Sequence, residues 1–213
     1  IVNGLHELLF PSWKDLIKKN KNQWIWDVRM PLFVPEIATG KAGKLKNKRI
    51  LFIGTDMAVG KMTAALEIYS FLNKKSESVG FVATGQIGIT LTGKGIPLDA
   101  FKVDHACGAV ETAVLEHSKK EIVLIEGQGS LLHPGSSATL PLMRGSCPTH
   151  LILCHRANKN TLRSPKNIKI PDLKEFVNLN ELLTTVSGTF PKAKVIGIAL
   201  NTSHLSENKA KLS

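Results

Sequence analysis

The sequence predicts a three-layer α/β fold with a mostly parallel sheet. From Arg49 onward, short β-type runs alternate with helical patterns, and this alternation is typical of a sheet covered by helices on both faces. The run Ile122–Ile125 is apolar without interruption, as a strand buried on both sides requires. A chain of 213 residues is long enough for one such domain with an added segment.

The strands and helices can be placed in chain order. The predicted strands are Arg49–Ile53, Val79–Ala83, Ile122–Ile125, His150–Cys154 and Lys194–Leu200, and the predicted helices lie near Lys61–Asn73, His105–Ser118, Ser136–Arg144 and Asp172–Val186. Residues 1–48 are expected to form an N-terminal lead-in segment and linker, and residues 49–213 the α/β domain. Asp104 is expected to cap the helix that follows it. The stretch Ala83–Ile89 contains two glycines, which predicts either backbone that lies close to a ligand or a glycine-rich hairpin without one.

The segment that follows the first strand of this domain has the features of a phosphate-binding loop. Glycines let backbone N–H groups converge on an anion, the helix N-terminus adds partial positive charge, and a lysine adds a full one. The residues predicted to bind the phosphates of a cofactor are Gly54, Thr55, Gly60, Lys61, Met62 and Thr63. Two features differ from the usual pattern, because five residues separate the glycines and Met62 stands where a hydroxyl residue is expected. A tight turn with a solvated lysine is the alternative.

Three ionisable side chains are predicted to be catalytic. Glu126 ends an apolar strand, where the carboxylate of a phosphate-loop protein often holds Mg²⁺, so it is also a metal ligand if the ligand is ATP. Asp56 lies inside the phosphate loop and is predicted to coordinate Mg²⁺ or to orient a substrate amine. The alternative is that it caps the loop by accepting backbone N–H groups. His133 precedes a proline in a polar loop and is a candidate general base, with a structural hydrogen bond as the alternative.

Polar side chains at the ends of the other strands are candidates for ligand binding. Those predicted to bind substrate are Thr84, Gln86, Gln128, Ser130 and Arg156. Arginine offers a bidentate fork for carboxylate or phosphate, and the neighbouring His155 is an alternative for the same task. Asn201 follows the last strand and is predicted to contact a nucleotide base or another polar edge of the cofactor.

Composition restricts the classes of partner. The net charge of +11 indicates anionic partners, but the lysines are spread and aromatic residues are sparse, so nucleic acid is not expected. The phosphates of CoA or of a nucleotide are the more specific expectation, and solvated basic surfaces are the alternative. The three cysteines form no metal or disulfide pattern, which predicts reduced thiols in a cytoplasmic protein. No apolar run approaches the roughly 20 residues that cross a bilayer, so no membrane partner is expected.

Taken together, the motifs resemble those of a known family. They are Gly4-Leu-His-Glu7, Trp26-Asp-Val-Arg29, Gly54-Thr-Asp56, Val59-Gly-Lys-Met-Thr63, Ala83-Thr-Gly-Gln86, Gly108-Ala-Val-Glu111, Glu126-Gly-Gln-Gly-Ser-Leu131, Leu153-Cys-His155 and Leu200-Asn-Thr-Ser203. In this order they resemble a bacterial family formerly catalogued as a domain of unknown function and typified by D-glutamate N-acetyltransferase. The phosphate loop is also similar to that of dethiobiotin synthetase. The resemblance implies a P-loop NTPase-like domain preceded by the remnant of a Rossmann-like N-terminal domain.

The resemblance also implies an activity. It predicts an N-acetyltransferase that moves an acetyl group from acetyl-CoA to the amine of a D-amino acid, with the CoA phosphates in the P-loop. Arg29 or Arg156 would bind the carboxylate of the small-molecule amino acid, and a homo-oligomer is expected. One alternative is an ATP- and Mg²⁺-dependent ligase or kinase of the dethiobiotin synthetase type. The other is a non-catalytic nucleotide-binding or nucleic-acid-binding module.

Overall fold

The structure is a computed structural model that describes residues 1–186 and 188–213. Its strands are β1 (Val2–Asn3), β2 (Trp26–Asp27), β3 (Lys48–Gly54), β4 (Val79–Val82), β5 (Ile122–Ile125), β6 (His150–Arg156) and β7 (Lys194–Asn201). Its α-helices are α1 (Phe10–Lys19), α2 (Lys61–Lys74), α3 (Gln86–Thr92), α4 (Val103–Leu115), α5 (Thr139–Ser146), α6 (Leu173–Thr185) and α7 (Glu207–Lys211). The strands and helices predicted for the α/β domain are all present, with ends that differ by a few residues. Among the described residues, no helix is both long enough and apolar enough to cross a membrane.

Two local predictions were wrong. The hairpin alternative for Ala83–Ile89 is wrong because Gln86 begins α3, in which Gly88 and Ile89 are buried on the inner side and packing favours a helix. That this backbone lies close to a ligand stays a prediction. Asp104 lies within the first turn of α4 and does not cap it. The carbonyl of Lys102 already accepts N–H groups of that turn, so the helix begins before Asp104.

The predicted three-layer α/β fold is confirmed. The main sheet is parallel throughout, with the strand order β4-β5-β3-β6-β7. The chain steps outward from β3 to β4, returns to β5 and then crosses to β6 and β7. Because crossovers between parallel strands are right-handed, this reversal places α2 on one face and α4, α5 and α6 on the other. Leu51 and Ile53 pack toward the three-helix face, and Phe52 packs toward α2. Sheets of this kind bind ligands beside the strand at which the order reverses.

Residues 1–30 form a small unit ahead of the α/β domain. β1 and β2 pair in parallel and α1 connects them, which is the β-α-β arrangement of Rossmann-like sheets. The carboxylate of Asp27 fastens the unit by accepting hydrogen bonds from the Asn3 side chain and from the N–H groups of Leu9 and Phe10. Burial acts to raise the pKa of Asp27, but these hydrogen bonds lower it by more, so that it lies below its usual value.

The linker between this unit and β3 is bound to α4. A Cβ on Gly108 would lie 1.7 Å from the carbonyl oxygen of Glu36, so that only glycine allows the linker to approach. One turn later, the buried carboxylate of Glu111 accepts hydrogen bonds from the N–H groups of Thr39 at 2.8 Å and Ala42 at 3.3 Å. The linker is therefore packed against the domain before β3 begins.

Candidate functional site

The carboxyl ends of the five parallel strands meet at one edge of the sheet. There β3 continues into residues 54–63, the phosphate loop, which lead into α2. Gly60 has a φ of +104° and Ala58 a φ of +52°, so the loop makes its turn with left-handed backbone conformations. A Cβ on Gly54 would lie 2.8 Å from the Val59 side chain and 3.0 Å from Nζ of Lys61. The loop thus has the tight turn and helix start that a phosphate cradle requires.

Lys61 lies inside this loop. Its ammonium group donates a hydrogen bond of 2.9 Å to the carbonyl oxygen of Asp56, and only 6% of the residue is exposed. Burial lowers the pKa of Lys61 from 10.5 to about 8, although the charges of Asp56 and Glu126 act in the opposite direction. A buried, poorly solvated cation of this kind gains from a bound anion. Met62, the next residue, is half-buried in the first turn of α2.

Glu126 follows β5 and lies between the phosphate loop and α3. Its Oε2 accepts hydrogen bonds from the N–H groups of Thr84 at 2.9 Å and Gly85 at 3.2 Å. Burial raises the pKa of Glu126 above its usual value, although these hydrogen bonds and the charge of Lys61 act against the rise. A Cβ on Gly88 would lie 2.2 Å from Oε2, so this glycine of α3 makes room for the carboxylate.

Most of the predicted substrate-binding residues on this side of the loop are held by hydrogen bonds. The Gln128 amide donates to the carbonyl oxygen of Thr84 at 2.7 Å. Ser130 is almost fully buried, and its hydroxyl and N–H both bond within their own loop. Gln86 begins α3 and packs close to Gly4 of the lead-in unit. The structure therefore brings Thr84, Gln128 and Glu126 together, with Gln86 beside them.

A buried pair on the other side of the phosphate loop joins Thr55 to His155. Oγ1 of Thr55 lies 2.9 Å from Nδ1 of His155. Burial lowers the pKa of His155 and so favours the neutral form of its ring. A neutral ring is suited to hold the loop through Thr55 and less suited to bind an anion. Burial also raises the pKa of the adjacent Cys154 thiol to about 11, so a nucleophilic thiolate is not available at neutral pH. The sequence gives no signal for the Thr55–His155 pair, because 100 residues separate its members.

Asp56 and His133, both predicted as catalytic, bind the same distant segment. One oxygen of Asp56 accepts the N–H of the next residue, and Oδ2 accepts the N–H of Arg163 at 2.7 Å. Nε2 of His133 donates to the carbonyl oxygen of Ser164 at 2.7 Å, and Nδ1 accepts the N–H of Gly135 at 3.1 Å. These partners assign the tautomer. Both ring nitrogens are thus engaged, and the role of His133 as a general base stays a prediction.

An open groove of about 570 Å³ lies beside the phosphate loop. The first turn of α2, with Thr63, forms one wall, and the end of β7 with the two residues after it forms the other. Nδ2 of Asn201 donates to the carbonyl oxygen of Val59 at 3.3 Å, and Nη2 of Arg156 donates to that of Ala58 at 3.1 Å. The structure therefore places Thr63, Asn201 and Arg156 at the loop.

Arg29 lies in the lead-in unit and is already engaged. Its Nε donates to the carbonyl oxygen of Gly4 at 2.7 Å, and Nη1 forms an ion pair with Asp99. This pair connects the lead-in unit to the segment between α3 and α4. Because Asp99 balances its charge, Arg29 is the weaker of the two candidates for binding an acceptor carboxylate, and its role stays a prediction.

Residues 36–213 match the family model of a domain of unknown function, DUF1611_C, described as a P-loop domain. This match covers most of the chain. The chain belongs to the DUF1611 family. A crystal structure of a DUF1611 family protein from Anabaena variabilis is 46% identical in sequence and superposes with a TM-score of 0.94. The match covers 99% of this chain and 61% of that one.

Two curated relatives have the name D-glutamate N-acetyltransferase. The protein from Pseudoalteromonas sp. is 36% identical over 97% of this chain, and the protein from Tritonibacter scottomollicae is 36% identical over 99%. This DUF1611 chain spans 61% and 62% of their respective lengths. The predicted family is thereby confirmed, whereas the cytoplasmic location and the homo-oligomer stay predictions.

The predictions of an Mg²⁺ ligand concern Glu126 and, as one of its alternatives, Asp56, whose role toward a metal stays a prediction. Within residues 1–186 and 188–213, no group of three or more His, Cys, Asp or Glu side chains could hold a metal ion. Mg²⁺ bound to nucleotide phosphates needs only one or two protein carboxylates. A role for Glu126 toward Mg²⁺ therefore depends on whether the protein binds ATP.

Proposed function

We propose that this DUF1611 protein transfers the acetyl group of acetyl-CoA to the amine of a D-amino acid, with D-glutamate as the first candidate. The two relatives named D-glutamate N-acetyltransferase match nearly the whole of this chain. The structural observation that carries the proposal is the position of Glu126. The residue is 4% exposed beside the phosphate loop, and only Oε2 of its carboxylate accepts hydrogen bonds from the backbone.

Glu126 is suited to accept the proton that the reaction releases. The ammonium group of the acceptor must lose a proton before its nitrogen attacks the thioester carbonyl carbon. An ordinary carboxylate is a weak base, but burial raises the pKa of Glu126 and brings it closer to neutral pH, where a general base is most effective. In the proposed step Glu126 Oε1 takes this proton and the C–N bond forms. The C–S bond then breaks, and the CoA thiolate takes the second proton of the amine.

The oxyanion that forms on the carbonyl oxygen needs hydrogen-bond donors. Residues 127–130 continue the chain directly after Glu126 and contain two glycines. Backbone N–H groups held in a rigid turn can stabilise such an oxyanion without reorganising. We assign this task to the backbone of that turn, and we assign to the Gln128 side chain the task of holding the turn against Thr84.

The phosphate loop is the proposed site of the donor phosphates. Lys61 and the first N–H groups of α2 supply the positive charge, and Thr63 adds a hydroxyl that faces the groove. The groove beside the loop has room for the remainder of the nucleotide, with Asn201 on its wall. Arg156 is the proposed ligand of the acceptor carboxylate, because among the described residues it takes part in no ion pair.

Glu126 also supports one rival function. A carboxylate at the end of the strand next to a phosphate loop is typical of proteins that hold Mg²⁺ and ATP. An ATP-dependent ligase or kinase would use Oε1 of Glu126 toward the metal rather than toward a proton. The two functions differ in donor and in metal requirement, so a single set of assays separates them.

The test measures thiol release from acetyl-CoA by the protein in the presence of D-glutamate. L-glutamate is the matched control for the acceptor, and ATP with Mg²⁺ replaces acetyl-CoA in a parallel assay of ADP formation. The proposal expects thiol release with D-glutamate that persists after treatment with a chelator. ADP formation without thiol release would refute the acetyl transfer and support the ligase or kinase.

A further inference from the structure

The segment between β6 and α6 is strongly basic. Residues 157–170, the basic hairpin, carry four cationic side chains and no acidic one: Lys159, Arg163, Lys166 and Lys169. The hairpin is an ordered structure, with hydrogen bonds between the N–H of Leu162 and the carbonyl of Ile168, and between the N–H of Ile170 and the carbonyl of Asn160. Leu162 is only 1% exposed and anchors it.

The hairpin is attached to both halves of the phosphate site. Asp56 of the phosphate loop accepts the N–H of Arg163, and His133 of the loop after Glu126 donates to the carbonyl of Ser164. These two backbone groups belong to neighbouring residues, so two side chains from the segments that follow β3 and β5 hold one point of the hairpin. Asp56 is 4% exposed, which makes the first of these bonds costly to lose.

The charges of the hairpin are available to a ligand. All four cationic residues are exposed, and none of the ion pairs found among the described residues involves them. Like charges held close together by a fixed backbone repel one another and attract an anion. Their attachment point lies next to the loop that contains Lys61, so an anion larger than one phosphate can contact both.

We propose that the basic hairpin is a second anion-binding element, which takes phosphate groups of the donor that extend beyond the phosphate loop. Its principal ligands are Arg163, whose backbone forms part of the attachment point, and Lys166, which lies two residues beyond Ser164. Asp56 and His133 act as positioning residues that hold the hairpin in place. The name of the donor rests on the proposed function, but the chemistry, a molecule with several phosphoryl groups, is common to CoA and ATP.

The first experiment measures calorimetric binding of CoA, 3′-dephospho-CoA and ATP to the protein and to the variant Arg163→Ala/Lys166→Ala. Both side chains are exposed, so the fold should persist. The loss of two charge-assisted contacts is expected to raise the Kd for CoA by about tenfold or more. Added salt should shrink the difference from the wild-type protein. Lys119→Ala/Lys120→Ala is the matched control, because these exposed lysines precede β5 at the opposite edge of the sheet.

The outcomes separate the two proposals. If the variant loses affinity for CoA only, the hairpin proposal is supported and its charges bind the 3′-phosphate. If it loses affinity for CoA and 3′-dephospho-CoA equally, the proposal is supported and its charges bind the pyrophosphate. If the wild-type protein binds ATP but not CoA, the proposed acetyl transfer is wrong. In that case weaker binding of ATP by the variant still supports the hairpin proposal. A Kd within twofold of wild type, or a change equal to that of the control, overturns the hairpin proposal. So does a wild-type protein that binds none of the three.

A second experiment distinguishes positioning from catalysis at His133. In His133→Gln the amide nitrogen can replace Nε2 as the donor to Ser164, but the side chain cannot act as a base. If His133 positions the hairpin, His133→Ala raises the Kd for CoA by about tenfold and His133→Gln restores most of the affinity and turnover. If both variants lose turnover equally and keep the wild-type Kd, His133 is catalytic and the positioning role is wrong.

Discussion

Replacement of Glu126 by glutamine is expected to slow turnover strongly and, at neutral pH, to stabilise the fold. Glutamine keeps an oxygen that can accept the N–H groups of Thr84 and Gly85, but it cannot take a proton from the acceptor. Loss of a general base costs about 10²–10⁴ in rate, so kcat should fall by that order. The Kd for CoA should change little when it is measured at pH 6, where Lys61 keeps its proton, because the lysine and the backbone of the phosphate loop remain in place.

The stability effect follows from the pKa of Glu126. Burial raises this pKa in the folded protein above the value of 4.5 expected of the unfolded chain. Below both values the carboxyl group is neutral in both states and contributes nothing. As the pH rises between them, the unfolded chain loses its proton first, so the free energy of unfolding falls. The loss amounts to about 1.4 kcal/mol for each unit by which the folded pKa is raised, and glutamine removes it.

The assay is urea unfolding of the wild-type protein and Glu126→Gln at pH 4 and pH 7.5, combined with thiol release at pH 7.5. The variant should equal the wild type at pH 4 and exceed its stability at pH 7.5. Glu121→Gln removes an exposed carboxylate just before β5 and is the control. A variant that loses stability at pH 7.5 would show that the carboxylate is a structural group, and normal turnover would remove Glu126 from the mechanism.

Three further results are expected. Gly88→Ala should lower kcat nearly as much as Glu126→Gln, because its Cβ would lie 2.2 Å from the carboxylate, whereas Gly197→Ala, with open space around it, should not. Glu111→Ala should lower the free energy of unfolding in urea by about 2–5 kcal/mol, because two backbone N–H groups of the linker lose their acceptor; Glu111→Gln should recover part of the loss. The affinity for CoA, measured by calorimetry, should fall as the pH rises through about 8, where Lys61 loses its proton in the free protein. A Lys61→Met variant should bind weakly with no such pH dependence, and a wild-type affinity that is flat to pH 9.5 would contradict the role of the lysine.

The fold could be predicted because its signals are local. An apolar run such as Ile122–Ile125 needs cover on both faces wherever it lies in space, and the glycines and lysine of residues 54–63 form their turn from neighbouring residues. Helix α3 was missed for the opposite reason. Its short sequence favours a turn, but the burial of Ile89 against the sheet stabilises a helix instead.

The functions of individual side chains were harder to predict than their location. Glu126 directly follows β5, Asp56 lies just after β3, and His133 lies in the loop that follows Glu126, as the sequence indicates. The partners of Asp56 and His133 in the basic hairpin are 107 and 31 residues away, however, and no spacing rule connects them. A histidine with both nitrogens bonded and one with a free nitrogen look the same in a sequence.

The sequence by itself therefore determined the parallel α/β architecture and the position of the phosphate loop, because periodicity and turn chemistry act over a few residues, and its motifs indicated the family by their resemblance to it. Only the tertiary structure decided which polar groups remain free for chemistry. In that structure the backbone donates hydrogen bonds to Oε2 of Glu126 and not to Oε1. Asp99 balances the charge of Arg29, and both Asp56 and His133 form hydrogen bonds to the basic hairpin. Hydrogen bonds and burial between distant segments set these states, and they exist only once the strand ends have come together.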